Sequence, residues 1–186
     1  MRVINKYTGV LVLAVSFLVA ACEKHEPAID YSLKVGNIYI DDGRIIPPEA
    51  YDPQQHTAVA VIVATGNSND PFKALGVALA AMEEDEKLDC PAAVSVSAYG
   101  EGDGRWHLPA CGELLRLASN RQRIDQVLRV VGGKALTTDL YLSSTIDGTD
   151  EYSEKLYMRN VSLQEGRVVS SSRTAEKTVR PFILIR

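Results

Sequence analysis

The chain has 186 residues, 46% of them hydrophobic and 24% charged, with 24 acidic against 20 basic side chains and a formal charge of −4. That length suffices for one domain with a substantial core. The acidic balance opposes DNA or RNA, whose phosphates are bound by clustered Lys and Arg, so no nucleic-acid partner is expected.

In chain order, Arg2 and Lys6 make a short positive region, and residues 8–21, TGVLVLAVSFLVAA, follow as an apolar stretch. About fourteen residues fall short of the ~20 that a membrane-spanning helix needs, and the segment reads as an export signal over residues 1–21. It closes on Val19, Ala20, Ala21 and Cys22.

This arrangement resembles the lipobox of bacterial lipoproteins, in which small residues admit the signal peptidase to the bond before a cysteine. The resemblance implies that Cys22 becomes the acylated first residue of the mature protein. Each buried acyl CH₂ contributes roughly 0.8 kcal/mol, so two or three chains, palmitate among them, tether a soluble domain without a spanning helix. Glu23 stands where Asp would signal inner-membrane retention, so the expected location is the outer membrane. Cys-Glu-Lys-His-Glu at 22–26 is similar to the charged tracts that send lipoproteins to the surface of Bacteroides-like bacteria. The protein partner surface would then face either the periplasm or the exterior. Removing the leader takes away two basic and no acidic residues, leaving a mature charge of −6.

Residues 22–33 are polar, contain Pro27 and show no periodicity, as expected of a flexible tether, and residues 34–186 form the single domain. The segment from Lys34 alternates around Ile38 and Ile40, turns at an Asp-Gly pair, and meets prolines that forbid a helix. His56–Gly66, HTAVAVIVATG, is a run of small and β-branched residues expected as a buried strand. Residues 73–88, KALGVALAAMEEDEKL, favour a helix by propensity, although Gly76 and the apolar run also fit a core strand. AAVSVSAYGEGDG at 92–104 is expected as a strand entering a Gly-rich loop.

GRWHLPACGELLRL, residues 104–117, gathers Trp106, His107, Cys111 and Glu113 around a Leu108-Pro109 step. A catalytic reading would have the helix dipole lower the thiol pKa of Cys111 and His107 serve as base. The extended Leu-Pro step opposes it, because it points Trp106 and His107 to opposite faces. Glu113 has a sufficient role in the first turn of a helix, where its charge favours the dipole. No catalytic residue is therefore assigned, and the stretch reads as a strand-to-helix joint with Trp106 in the core. Apolar spacing from 114 to 131 predicts two short helices broken near Ser119-Asn120 and stopped at Gly132-Gly133. LYLSST, KLYMRNVS, GRVVSSS and TVRPFILI are the remaining strand candidates. The layout is α+β, with antiparallel strands on either side of two central helices.

Taken in order, VGNIYIDDG, AVAVIVATG, GRWHLPACGEL, LYLSST, GRV and TVRPF resemble the C-terminal domains of Legionella collagen-like adhesins and related Fibrobacter and Bacteroides surface-protein domains. The carrying motifs are Trp106 to Leu114, Tyr141 to Thr145 with Ser143 and Ser144, and Val179 to Pro181 with Arg180. The resemblance covers about residues 34–186 and implies a C-type-lectin-like fold, shared with formylglycine-generating enzymes. Family members often carry Ser or Thr at the position of Ala110, completing a capping box with Glu113, and Trp at the position of Leu142. Loss of the cap hydroxyl would cost about 1 kcal/mol.

An exported chain permits a Cys90–Cys111 disulfide, which would close a loop worth roughly 3 kcal/mol by chain entropy and staple this joint. Arg180 is expected to make an ion pair, with Glu113 as a candidate partner, or carbonyl contacts. Asp147, Asp150 and Glu151 supply oxygens for calcium but lack EF-hand spacing and read as a solvated turn, as does 83–87. His25, His56 and His107 are too scattered for zinc. Tyr99, Tyr152 and Tyr157 are candidates to stack on sugars.

No cofactor or metal is expected. The late cysteine pair of formylglycine-generating enzymes and the sugar-binding tripeptides of calcium lectins are both missing. The expected function is a non-catalytic envelope lipoprotein binding a glycan, or an envelope or host protein, through loops after Gly100 and around Asp147, in the manner of an adhesin. The alternatives are a structural accessory of a surface appendage or envelope assembly and, more distantly, an exported enzyme.

Overall fold

A computed structural model describes residues 28–82, 96, 99, 105–150, 155–172 and 177–186. It is a mixed α+β domain with two antiparallel sheets and, among the described residues, two α-helices. The strands are β1 (Ile38–Ile40), β2 (Ile45–Ile46), β3 (Ala58–Thr65), β4 (Ala74–Ala78), β5 (Trp106–His107), β6 (Leu140–Tyr141), β7 (Ile146–Asp150), β8 (Lys155–Ser162), β9 (Arg167–Ser172) and β10 (Phe182–Ile185). The helices are α1 (Cys111–Ser119) and α2 (Arg121–Val130), and a 3₁₀ turn spans Pro48–Ala50.

The larger sheet runs β2-β1-β3-β4-β10-β5. Both of its faces are covered, which explains why β3 reads as a continuous apolar run and not as an alternation. Ile38, Ile40, Val61, Val63, Leu75, Val77 and Phe182 point to the face that carries the helices, where Leu114, Leu117, Ile124 and Leu128 meet them. Tyr39, Ala60, Ile62, Ala74, Ala78, Ile183 and Ile185 point to the other face and pack with Val96, Trp106 and Leu108.

Residues 74–78 form a strand, against the helical propensity of 73–88. Ala74–Ala78 lies between β3 and β10 and completes ladders with both, so tertiary pairing overrides local preference. Gly76 belongs in this strand: a Cβ there would come within 2.9 Å of the Ala60 Cβ and 3.0 Å of the Ile183 Cγ2. Residues 83–88 and most of the segment 92–104 lie outside the described residues.

In the smaller sheet β8 is central. β9 pairs along one edge, while β6 and β7 share the other at opposite ends of β8. Ile146–Asp150, expected as an acidic turn, is thus a strand of this sheet. The two sheets are joined where Tyr141 bridges Thr178, with Leu142 and Thr178 amides donating to the Thr178 and Leu140 carbonyls at 3.0 Å each.

The helices break at Asn120 as the spacing predicted. After α2, Gly132 adopts φ 72°, and the amides of Gly132 and Gly133 donate back to Arg129 (3.3 Å) and Leu128 (2.7 Å). This pair of bonds is a Schellman stop, and its left-handed residue is one that glycine adopts without a Cβ penalty.

Candidate functional site

The Trp-His-Leu-Pro stretch forms a joint in which the conspicuous side chains are consumed structurally. Trp106 is buried and makes a T-shaped contact with the half-buried Tyr99, 4.9 Å between ring centroids. His107 faces the opposite side, near Phe182. Leu108 and Pro109 are buried, and the Pro109 carbonyl accepts the Ser144 amide at 2.8 Å.

Glu113 performs half of a capping box. Its Oε2 accepts the Ala110 amide at 2.7 Å, while Ala110, lacking a hydroxyl, offers only its backbone carbonyl to the Glu113 amide. The missing hydroxyl comes from the residue just before β7, because Thr145 Oγ1 accepts the Cys111 amide at 2.9 Å. The Leu-Ser-Ser-Thr motif therefore closes onto the Trp-His-Leu-Pro motif. Beneath it, the Ser143 hydroxyl donates to the Arg159 carbonyl and accepts the Thr145 amide at 3.1 Å, and Asn160 Oδ1 accepts the Ser143 amide at 3.2 Å. Sequence reasoning found both motifs but looked to a disulfide to replace the cap.

Both Glu113 oxygens lie against His107 Nε2, at 3.1 and 3.2 Å. A carboxylate only accepts, so Nε2–H is the donor, and Nδ1 is buried with no partner among the described residues. Burial tends to raise the Glu113 pKa, but the His107 contact and the Ala110 amide prevail and hold it below its ordinary value. Cys111 is buried and free. Burial pushes its thiol pKa up against the opposing charge of Arg159, the reverse of the activation that a helix N-terminus would supply. Cys90 lies outside the described residues.

Arg180 takes the carbonyl role and not the ion pair with Glu113. Almost fully buried at 1% exposure, it donates from Nε to Ala78 (2.9 Å) and from Nη2 to Leu79 (2.7 Å) and Lys134 (2.8 Å), with Nη1 at 3.4 Å from the Ala135 carbonyl. Burial pulls its pKa down, opposed by Tyr141, Asp125 and Tyr99. It bolts the end of β4 to the loop after α2, with the buried Pro181 leading into β10.

On the acidic strand Asp147 accepts from Arg159 Nε at 2.8 Å, and its pKa is lowered first by the Ser170 hydroxyl and then by Arg159. Glu151, Tyr152, residues 83–87, Gly100, Cys22 and His25 lie outside the described residues. Among the described residues no three metal-ligating side chains gather, and no helix is long and apolar enough to cross a membrane. His56 sits beside Tyr51 and accepts the Asp52 amide weakly at 3.4 Å.

Among the described residues, two recesses lie elsewhere. An open cleft of about 510 Å³ lies between the 3₁₀ turn and α2, lined by Pro48, Glu49, Gln122, Arg123, Gln126, Val127 and Val130. A second recess of about 280 Å³ adjoins it, sharing Pro48, Glu49 and Arg123 and extending to Ile29, Asp30, Lys34 and Asn37. The larger one is within the size range of small-molecule sites. Sequence reading missed this cleft because its walls come from segments some seventy positions apart. The one available signal was the polar stripe of Gln122 and Gln126 on an otherwise amphipathic helix.

Compared with known proteins, the chain matches no protein-family model and no curated protein.

Proposed function

We propose that the chain is a non-catalytic lipoprotein of the outer membrane, anchored through Cys22, whose C-type-lectin-like domain binds a glycan or a protein at the cleft between the 3₁₀ turn and α2. The observation that carries this reading is the chemistry of the cleft: exposed Gln122, Gln126 and Arg123 offer planar hydrogen-bonding groups above apolar Val127 and Val130. Amide and guanidinium groups over an apolar floor suit sugars and peptide backbones alike. Support for the non-catalytic part comes from the joint, where Glu113 is committed to a cap and Cys111 is buried with a raised pKa.

The accessory reading, an envelope assembly with protein-only contacts, is favoured by the position of the second recess. Ala28 follows Cys22 by six residues, and at no more than ~3.6 Å per residue it lies within about 22 Å of the anchor. Partners would then be met close to the membrane surface.

The test uses the full chain in detergent micelles, presented to a glycan array and to solubilised envelope proteins. Selective sugar binding lost in a Gln122→Ala, Gln126→Ala variant supports the lectin role. Envelope proteins retained by the wild type and lost by the same variant support the accessory role. Binding untouched by those substitutions removes the cleft, and a Cys22→Ala protein that stays in the membrane fraction removes the anchor.

A further inference from the structure

Four charged side chains line the two recesses, and of these Lys34 and Asp30 are bonded to each other. Glu49 and Arg123, which line both recesses, have neither hydrogen bond nor ion pair among the described residues. One acid and one base thus stand at the junction without neutralising each other.

Their supports are rigid. Glu49 is carried by the 3₁₀ turn after Pro47 and Pro48, whose rings fix the backbone. Arg123 lies across the backbone of Gly36, a residue at φ 88°. A Cβ at Gly36 would stand 2.5 Å from Arg123 Nε and 3.2 Å from its Cγ and Cδ, so glycine leaves the slot in which the arginine rests. That floor is itself pinned to β3, with the Gly36 amide donating to Ile62 and the Ile62 amide to Asn37, both at 2.8 Å. Holding the stem in this way reduces the rotamer freedom that Arg123 would lose on binding.

We propose that this junction recognises a zwitterionic group on a short peptide, its carboxylate at Arg123 and its ammonium at Glu49, with the aliphatic part of the ligand over Val127 and Val130. The guanidinium fork matches a carboxylate bidentately, and charge-assisted bonds are about twice as strong as neutral ones. The inference rests on the cleft being the binding surface, and it narrows the ligand to one bearing both signs.

Calorimetric titration of the full chain in detergent micelles with alanylalanine, N-acetylalanylalanine and alanylalaninamide tests it. The zwitterion binds at least about tenfold more tightly than either blocked peptide. Arg123→Gln reduces it to the level of the amide, and Glu49→Gln to the level of the acetylated form. Both side chains are solvent-facing, so unchanged unfolding midpoints certify that the variants fold. Blocked peptides binding within about threefold of the zwitterion overturn the proposal. So does failure of alanylalanine to bind: if a glycan or envelope protein still binds in a Gln122- and Gln126-dependent way, the cleft reading survives, and if nothing does, both fall.

Discussion

Replacing Arg180 with Met keeps an unbranched apolar stem in the core and removes every donor from the guanidinium. The Leu79 carbonyl retains a second partner, the Lys134 amide at 2.8 Å, and the Ala135 contact at 3.4 Å is already marginal. The full loss therefore falls on two carbonyls, those of Ala78 and Lys134. A buried acceptor left empty costs about 1–3 kcal/mol, giving ~2–6 and a centre near 4 kcal/mol. Against a domain stability of about 5–15 kcal/mol this is a large fraction. At about 2–4 °C per kcal/mol for a chain of this size, the unfolding midpoint drops by roughly 8–16 °C. Urea denaturation of the full chain measures it directly. Arg180→Lys, a single ammonium that cannot reach carbonyls on two segments at once, recovers only part of the loss. In a double-mutant cycle with Glu113→Gln the coupling stays below about 0.5 kcal/mol, because these residues share no contact. A loss under about 1 kcal/mol for Arg180→Met would refute the bolt.

Three further outcomes follow from the joint. Thr145→Val strips the acceptor from the first amide of α1 and lowers stability by about 1 kcal/mol in urea denaturation, with Thr145→Ser restoring most of it. Glu113 titrates lower in the folded protein than its ordinary 4.5. Its carboxylate therefore contributes stability that is full above that value and fades as pH falls through the depressed folded pKa. Unfolding midpoints of wild type and Glu113→Gln accordingly converge as the pH falls through the depressed folded pKa and the carboxyl becomes neutral, and separate at neutral pH. Cys111 resists iodoacetamide in the native state at pH 7 and labels readily in urea without reductant. Resistance that persists in unreduced urea and vanishes with reductant would instead reveal the bridge to Cys90.

The parts of the fold that sequence made legible are those whose periodicity arises locally. The β-branched run of 58–65, the helical spacing broken at Asn120, the glycine stop at 132–133 and the strands at 155–162 and 167–172 all stand where the pattern placed them. Residues 74–78 were obscured because Ala and Leu, followed by Met, Glu and Lys, suit a helix unless strands flank them on both sides, and that flanking is a long-range fact. Asp147 was misread as part of a turn for a similar reason: its strand is defined by pairing with β8, not by alternation. The joint was half legible. Trp106 and Glu113 fell into their roles, but nothing local says that Thr145, thirty-four positions away, supplies the hydroxyl that Ala110 lacks. Arg180 was recognised as structural, and only the folded chain could show which carbonyls it meets. Of the cleft only the Gln122 and Gln126 stripe was legible, since Glu49 and Arg123 come to line one recess only when the 3₁₀ turn packs beside α2.

The proposed function divides labour between a structural joint at 106–113 and a binding surface at the cleft. Hydroxyl-radical footprinting of the full chain, free and saturated with whichever glycan or envelope protein it retains, tests that division directly. Protection of Pro48, Arg123 and Val130 with no change at Trp106 and His107 is the predicted result. Protection at Trp106 and His107 with the cleft residues unchanged would contradict it.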